Sequence, residues 1–435
     1  MQEETKNADL AQEVQDKKGK NLYILEAALE YFISLTITGA YLAKITSAIG
    51  MSQGLTGILT AFVSLGYVFQ IFALFLAGKR KVKGFITILH MINQLCFALI
   101  YLVPLVNVPT ALKHGFFIVF LLIGYIVSNL IGAPKLGWYM TFVKDKERGE
   151  FTAKKEMVSL VGGMIYSYLL SFVIDHFEAV GQLNVAFIIS AISIFLLALA
   201  HTLNLLATPA VELPVNDSTS NFKNAVKTVF RNRRVLKVLV IASAYNVISS
   251  GIIAFYGAYT ISMPEKFGLG FSMQLVAAFS IIGAFVRVLF SRPIGRFADK
   301  YSFKNSSILC YSLLALALLM VAFAVPANGT LMYALYVVIH AVAMAGVNSG
   351  MINLLYEEVQ PEQRMCAFAV QQTISGLVGF SFAILSGVFV DWVQKMPAGQ
   401  FCGMFAQQWL SLVGVLICVF VVLFIQFCMK KKKTE

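Results

Sequence analysis

The sequence predicts an all-α membrane protein with twelve transmembrane helices in two pseudo-symmetric six-helix bundles. Three observations predict it: composition, the spacing of polar breaks, and the placement of Lys and Arg. Of 435 residues, 58% are hydrophobic and 13% are charged, and mean hydropathy is +0.77. An ordinary soluble domain carries about 25% charged residues. A spanning helix needs about 20 mostly apolar residues, and such stretches recur along the chain between short polar breaks. A closed barrel, the other way to satisfy backbone polar groups in lipid, needs alternating segments of about ten residues. The apolar runs here are long and do not alternate, which excludes a barrel.

Taken in order, residues 1–21 are polar and mixed in charge. They read as a disordered cytoplasmic tail with no cleavable signal peptide, so the first apolar segment is expected to stay in the membrane. Spans are expected near 22–48, 54–78, 84–106, 114–142, 155–177, 183–207, 235–261, 271–294, 304–325, 331–355, 366–390 and 404–429. An N-terminal bundle therefore covers 22–207 and a C-terminal bundle 235–429. Between them, 208–234 begins with Pro and small polar residues and continues as FKNAVKTVFRNRR. Phe222, Val226, Val229 and Phe230 share one face there, which reads as an amphipathic helix on the membrane surface. Residues 430–435 form a basic cytoplasmic tail.

The net charge is +12. With the N-terminus in the cytoplasm, 28 of the 34 Lys and Arg fall in inner segments. Lys113, Lys266 and Lys395 fall in outer loops, and Lys44, Lys135 and Arg287 lie within spans. That asymmetry supports both the span count and the orientation. It sets the basic loops against anionic membrane lipid and needs no nucleic acid. The six cysteines form neither a disulfide framework nor a metal-ligand spacing. No HExxH and no phosphate-cradling Gly loop occurs, so neither enzyme chemistry nor nucleotide drive is expected, and no cofactor.

The halves also repeat. DKERGEFTAKKEMVSLVGG (145–163) aligns with PEQRMCAFAVQQTISGLVG (361–379) at an offset of 216, matching Arg148 with Arg364, Ser159 with Ser375 and Gly163 with Gly379. Repeated halves are how many carriers build alternating access around a midplane site.

Between spans eight and nine the chain reads GRFADKYSFKN (295–305), preceded by Arg292 and Pro293. This resembles the signature loop of the major facilitator superfamily at Gly295, Ala298, Asp299 and Lys300, with Lys304 at the later basic position. The usual second Gly is replaced near Ser302. In layout the resemblance covers essentially the whole chain. It implies a secondary carrier of the plasma membrane, working as a monomer on a small solute, with spans one, four, seven and ten around a central cavity. It also implies a gating charge cluster, Asp299 with Arg292 or Arg296 and Glu358 with Arg364. The corresponding first-half loop, AGKRKVKG (77–84), has lost the Asp, and Thr141 and Phe142 stand where the offset puts Glu357 and Glu358. An asymmetric gate and ordinary divergence both fit. Span five lacks the Pro that marks drug/proton exporters of the family.

Ionisable groups inside spans are expensive and face cavities or partners. On span one, Tyr23, Glu26, Glu30, Tyr41 and Lys44 form a polar stripe at 100° per residue. Span four has Ser128, Lys135 and Tyr139. By depth, Glu30 and Lys135 can pair, either as a proton-coupling pair or as a static strut. Tyr245, Ser249, Tyr256 and Tyr259 share a face of span seven. Arg287 on span eight can bind a carboxylate or brace Asp299. His340 shares a face of span ten with Tyr333 and Tyr336, flanked by Asn348. These cations suggest an organic anion or zwitterion as solute, with a neutral sugar-like or aromatic solute second. A non-transporting sensor or assembly factor on the same scaffold is the alternative of another class.

Overall fold

A computed structural model describes residues 2–70, 72, 82–144, 147–211, 226–227, 229–360 and 364–429. These are all-α apart from one isolated bridge, Phe401–Met404. Ten helices are long and apolar enough to span: Lys83–Ile100 (α4), Thr110–Met140 (α5), Arg148–Ala179 (α6), Leu183–Ala207 (α7), Arg233–Gly251 with Tyr256–Ile261 (α8 and α9), Met273–Tyr301 (α10), Phe303–Ala322 (α11), Gly329–Tyr356 (α12), Arg364–Gln394 (α13) and Ala406–Cys428 (α14). The broken pair Gln2–Thr36 (α1) and Gly39–Ala48 (α2) makes an eleventh span, and the shorter apolar helix Gln53–Phe69 (α3) lies where the twelfth is expected. The fold class is as expected.

Two details differ from the sequence reading. Residues 2–21, expected to be disordered, are helical and continuous with the first span. The segment is rich in Glu, Gln, Ala and Lys, all good helix formers. Of the surface helix expected in 208–234, residues 222–225 and 228 lie outside the described residues. Of its apolar face, Val229 is buried among Val235, Val238, Leu354 and Leu355, whereas Phe230 is exposed.

The chain packs as two compact units, Met1–Ile37 with Phe72–Ser218, and Thr38–Ile71 with Thr219–Glu435. In the first, α1 packs on α6 and α7, and α4 on α5 and α7. In the second, α11 packs on α12 and α14, and α8 on α13, while α2 and α3 rest on α9 and α13. The hairpin at 38–71 thus sides with the C-terminal helices rather than with the bundle 22–207 to which the hydropathy pattern assigns it.

The boundary coincides with a break in the first span. Thr38 is extended (φ −130°, ψ 164°) and Gly39 has φ +53°. A broken helix frees carbonyls that lipid cannot satisfy. Here the Tyr101 hydroxyl donates to the Thr36 carbonyl at 2.6 Å and the Tyr125 hydroxyl to that of Ile37 at 3.4 Å. The seventh span breaks too, at Ile252 and the 3₁₀ turn Ile253–Phe255. The repeat offset maps residue 37 onto 253, so both halves interrupt their first helix at corresponding positions. Such paired interruptions mark the binding region of carriers.

A second repeated device precedes α3 and α10. Gly50 (φ +75°) and Gly270 (φ +72°) turn the chain. Two residues later, Ser52 and Ser272 accept the backbone N–H of Leu55 and Leu275, each at 3.1 Å. These are N-caps that satisfy donors the first helical turn leaves free. At the other ends the loop lysines act alike. Lys83 donates to the carbonyls of Leu206 and Thr208, both at 2.7 Å, at the end of α7. Lys304 donates to those of Gln426, at 3.1 Å, and Met429 at the end of α14. A cation there satisfies free carbonyls and complements the helix dipole.

Ser302, where the signature loop usually has Gly, sits at φ +134°, ψ 155°. That region is essentially restricted to glycine and costs other residues about 1–3 kcal/mol. Ser302 also caps α11 through the Asn305 N–H, but Gly is nearly as good a cap. Ser302→Gly is therefore expected to stabilise the purified protein by about 1 kcal/mol, read as a raised melting temperature. An unchanged or lower one would refute the strain argument.

α10 is the least covered span. Only 17% of its most apolar window is buried, and Phe285, Val288 and Leu289 lie open on its surface.

Candidate functional site

Two places carry the chemistry, each inside one unit. In the first unit, Glu26 and Glu30 stand one turn apart on α1, so they share a face. Two carboxylates so spaced repel each other. Lys135 of α5 enters between them, its Nζ 2.7 Å from Glu26 Oε1 and 2.6 Å from Glu30 Oε2. The Glu30 contact is a formed hydrogen bond, while the Glu26 contact is a close charge pair without hydrogen-bond alignment. Glu26 is buried (1% exposed), whereas the Glu30 side chain is 37% exposed. The pairing expected from depth along the spans is present, and its buried member is Glu26.

Two histidines that the sequence reading did not single out complete the cluster. His90 of α4 places Nε2 3.3 Å from Lys135 Nζ, 3.7 Å from Glu30 and 3.9 Å from Glu26. His201 of α7 places Nε2 3.4 Å from Glu26 Oε1, and its Nδ1 meets the Gln94 amide. The imidazole centroids are 4.1 Å apart. His90 and Gln94 lie one turn apart on α4 and so share a face. Both histidines were visible as ionisable residues inside spans three and six, which is the signal that would have found them.

Tyr139 lies beside the cluster, stacked on Tyr23 at 4.5 Å with its hydroxyl 3.3 Å from Thr208 Oγ1. Ser128 lies about two turns back on α5 and makes no hydrogen bond to these groups among the described residues. Tyr41 and Lys44 do not join the stripe. The break at residues 37–38 puts them on α2, in the other unit, so the 100° spacing does not carry across. Away from the cluster Lys20 pairs with Glu147, and this hydrogen bond holds the Glu147 carboxyl below the usual carboxylate range.

In the second unit a cavity of about 540 Å³ opens between α3, α8, α12 and α13. Its polar lining is hydroxyl and amide, including Thr38, Ser64, Tyr67, Tyr245, Asn246, Ser249, Ser250, Gln371 and Gln372, with no Asp, Glu, Lys or Arg among the described residues. Gln371 is 2% exposed and its Oε1 has no partner among the described residues. Tyr245 lines the cavity as the aromatic face of span seven suggests, its hydroxyl also reaching Met344 Sδ at 3.7 Å. Tyr256 does not. It is buried, hydrogen-bonded to Ser411 at 2.6 Å and packed edge-on to Tyr336, as a core aromatic. His340 rests on the Tyr336 ring at 5.2 Å. The Asn348 side chain lies outside the described residues.

Arg287 is the middle residue of the 29 in α10 and is exposed. No hydrogen bond or ion pair of its guanidinium occurs among the described residues. It is not among the lining residues of the cavity, but its helix α10 packs on α12, whose Met351 and Ile352 line it.

The charge cluster implied by the signature loop is not assembled among the described residues. Arg292, Gly295, Arg296, Asp299 and Lys300 are all exposed on the last turns of α10, and Asp299 has no ion pair among the described residues. Glu358 faces Arg234 at 3.6 Å instead of Arg364. Arg364 donates to the Tyr356 carbonyl at 3.2 Å and lies over its ring at 5.2 Å. Exposed pairs gain little from association, so solvent and backbone compete well for these charges.

One ligand atom each of Glu26, His90 and His201 lie within 4.8 Å of one another, a donor set that suits a dication. The Lys135 ammonium already stands against Glu26, so a second cation meets a like charge there.

Residues 27–383 and 284–434 match the family model described as Major Facilitator Superfamily. Among solved structures, the chain is similar to the nucleoside transporter NupG, with a TM-score of 0.71, 15% identity, and 96% of this chain and 100% of that chain covered. It is similar to a D-xylose-proton symporter (TM-score 0.68, 18% identity, 97% and 99% covered). It is also similar to the xylose transporter XylE from E. coli in a partially occluded inward-open conformation (TM-score 0.64, 14% identity, 97% and 99% covered). No curated protein matches the sequence. At these identities the likeness shows the fold.

Proposed function

Because the chain belongs to the Major Facilitator Superfamily, we propose that this multi-pass transporter is a proton-coupled secondary carrier of a small organic anion whose body bears hydroxyl or aromatic groups. The observation that carries the reading is Arg287. A charged side chain at the middle of a span is tolerated where it faces a water-filled path, and a guanidinium there can take a carboxylate or phosphate bidentately. The cavity in the same unit offers hydroxyls, amides and the Tyr67 and Tyr245 rings to the rest of the solute. The charged cluster around Glu26, Glu30 and Lys135 supplies the coupling. A proton travelling with an anion removes its net charge, which suits this pairing. Both termini are cytoplasmic in this reading, the membrane is the plasma membrane, and the carrier works as a monomer and not as an enzyme.

A second reading rests on the same cavity. Its lining carries no charge among the described residues, and two similar folds are named for nucleoside and xylose transport, which favours a neutral hydroxylated solute.

The test is uptake into proteoliposomes against a panel of hydroxylated and aromatic carboxylates, sugars and nucleosides, with and without an inward proton gradient. Anion accumulation driven by the gradient is expected, and Arg287→Gln should lower it about 10–100-fold, the range a charge-assisted hydrogen bond supports. Uptake of uncharged solutes that Arg287→Gln leaves intact would establish the second reading. Folded protein that moves nothing in the panel would point to a sensor.

A further inference from the structure

The cavity of the second unit is closed at one end by backbone contact. A Cβ at Gly376 of α13 would lie 2.6 Å from the Ser64 carbonyl oxygen, and one at Gly379 would lie 2.7 Å from the Asn246 carbonyl oxygen. Along α13 the lining consists of Phe368, Gln371 and Gln372 and stops one turn short of these glycines. Most polar groups near the closed end are spent on the protein itself. The Ser64 and Ser250 hydroxyls bond each other. Asn246 donates to Ser375 at 3.1 Å and to the Ala242 carbonyl at 3.2 Å. The Thr60 hydroxyl donates to the Thr56 carbonyl at 3.0 Å, and that of Tyr245 to Met344 Sδ at 3.7 Å.

Gln371 and Gln372 are different. Neither makes a side-chain hydrogen bond among the described residues. Gln371 stands one turn from Ser375, on the face turned to Asn246, and Gln372 one turn from Gly376, on the face turned to Ser64. Gln372 is half-buried, so water can serve it. Gln371 is 2% exposed, and its Oε1 is buried without a partner. An unpaired buried acceptor costs stability that an apolar side chain of the same shape does not. The fold gains nothing from this amide, so its partner comes from outside. A carboxylate only accepts and cannot serve an amide oxygen, whereas a hydroxyl donates. Half a turn of the amide exchanges its two ends, so the oxygen can be presented to the cavity.

We infer that Gln371 is a specificity-determining residue of this cavity and selects solutes by a hydroxyl that donates to its amide oxygen. A solute without that hydroxyl covers the amide and leaves it with neither partner nor water. A site built to hydrogen-bond a hydroxyl rejects the analogue lacking it in this way. The selected hydroxyl is on the body of the solute, apart from any carboxylate. The inference rests on the reading above only in taking this cavity as the solute site, and it holds for an anion and for a neutral solute alike.

The experiment has two arms. The first is thermal unfolding of the purified protein without solute. Gln371→Met keeps the side-chain length and removes the unpaired oxygen, so it is expected to raise the melting temperature by about 2 °C. An unchanged or lower value, or a variant that does not fold, would mean that the amide, or a water it holds, serves the fold, and would overturn the inference. The second arm measures stabilisation by added solute in pairs that differ in hydroxyls: phenyllactate beside phenylpropionate, hydroxyphenylacetate beside phenylacetate, and adenosine beside dideoxyadenosine. Wild-type protein is expected to bind the hydroxylated member of a pair at least tenfold more tightly. Gln371→Met is expected to bring that ratio to about two or less, by weakening the hydroxylated member alone. Equal binding by wild-type protein would overturn the inference, as would a tenfold preference that survives in Gln371→Met. Anion accumulation without hydroxyl preference would sustain the carrier reading and overturn this one. A hydroxyl preference confined to adenosine, with uptake that Arg287→Gln leaves intact, would overturn the anion reading and sustain this one. Protein that binds no member of any pair would overturn both.

Discussion

Replacing Lys135 by Met should be the most damaging single change in the first unit, lowering stability by about 3–5 kcal/mol, the cost of removing one partner from a buried ion pair. The substitution keeps the volume but leaves Glu26 and Glu30, one turn apart, with no cation between them. The deficit should shrink as pH falls, because protonating one carboxylate ends the repulsion between the two and returns the pair to a single negative charge. The native state then takes up a proton that the unfolded chain does not need, so acid favours folding of the variant. The double variant Lys135→Met with Glu26→Gln should recover most of the stability and none of the proton-driven uptake. Thermal unfolding in detergent between pH 5 and 8, with uptake measured beside it, makes the comparison. A single variant as stable as wild type at neutral pH would mean that the ammonium does not hold the carboxylates together.

Gly257→Ala should be disruptive in the second unit, for a steric reason. A Cβ at Gly257 would come within 2.4 Å of the Gly39 carbonyl carbon and 2.5 Å of its oxygen. Both are backbone atoms and cannot swing aside. α2 and α9 touch backbone to backbone, as α3 and α13 do where Gly54 approaches Gly387 and Asp391. Small residues permit such approach between helices in membranes. Beside it, Asp391 accepts from the Ser52 hydroxyl and the Gly54 N–H, both at 2.9 Å. Gln53 donates to Ser262 and the Lys266 carbonyl at 2.9 and 2.8 Å. Alanine must push α2 away, costing about 1–3 kcal/mol as overpacking does. Cross-linking between Ser52→Cys and Asp391→Cys should fall sharply in the Gly257→Ala background, with transport reduced at least tenfold. Undiminished cross-linking would mean that the close approach is not needed.

The fold was legible because apolar run length and Lys/Arg placement are summed over many residues and tolerate local exceptions. The Glu30–Lys135 contact was legible because depth along two helices is simple counting. The break at residues 37–38 was not. Its sequence, LTITGAYL, holds no Pro, and a lone Gly39 within an apolar run is ordinary in a span. Only the tertiary partners Tyr101 and Tyr125, more than sixty residues away, make the interruption tolerable. Tyr256 was misplaced for a related reason. A helical face gives direction but not neighbour, and Ser411 on α14 claims its hydroxyl. The Asp299 cluster came from a motif, and a motif fixes neither the distance between exposed side chains nor their competition with water. His90 and His201 were overlooked because each stands alone on its span. Their meaning appears only when α1, α4, α5 and α7 bring Glu, His and Lys together.

The sparse cover of α10 has a consequence for the bilayer. At 1.5 Å per residue its 29 residues reach about 44 Å, well beyond a hydrocarbon thickness of about 30 Å. A helix held firmly by neighbours would take its angle from them. One with most of its surface open to acyl chains answers to hydrophobic mismatch, by tilting or by extending its Arg292–Arg296–Lys300 end among the headgroups. Arg287 rides on that helix, so the depth of its guanidinium depends on lipid chain length as well as on the protein.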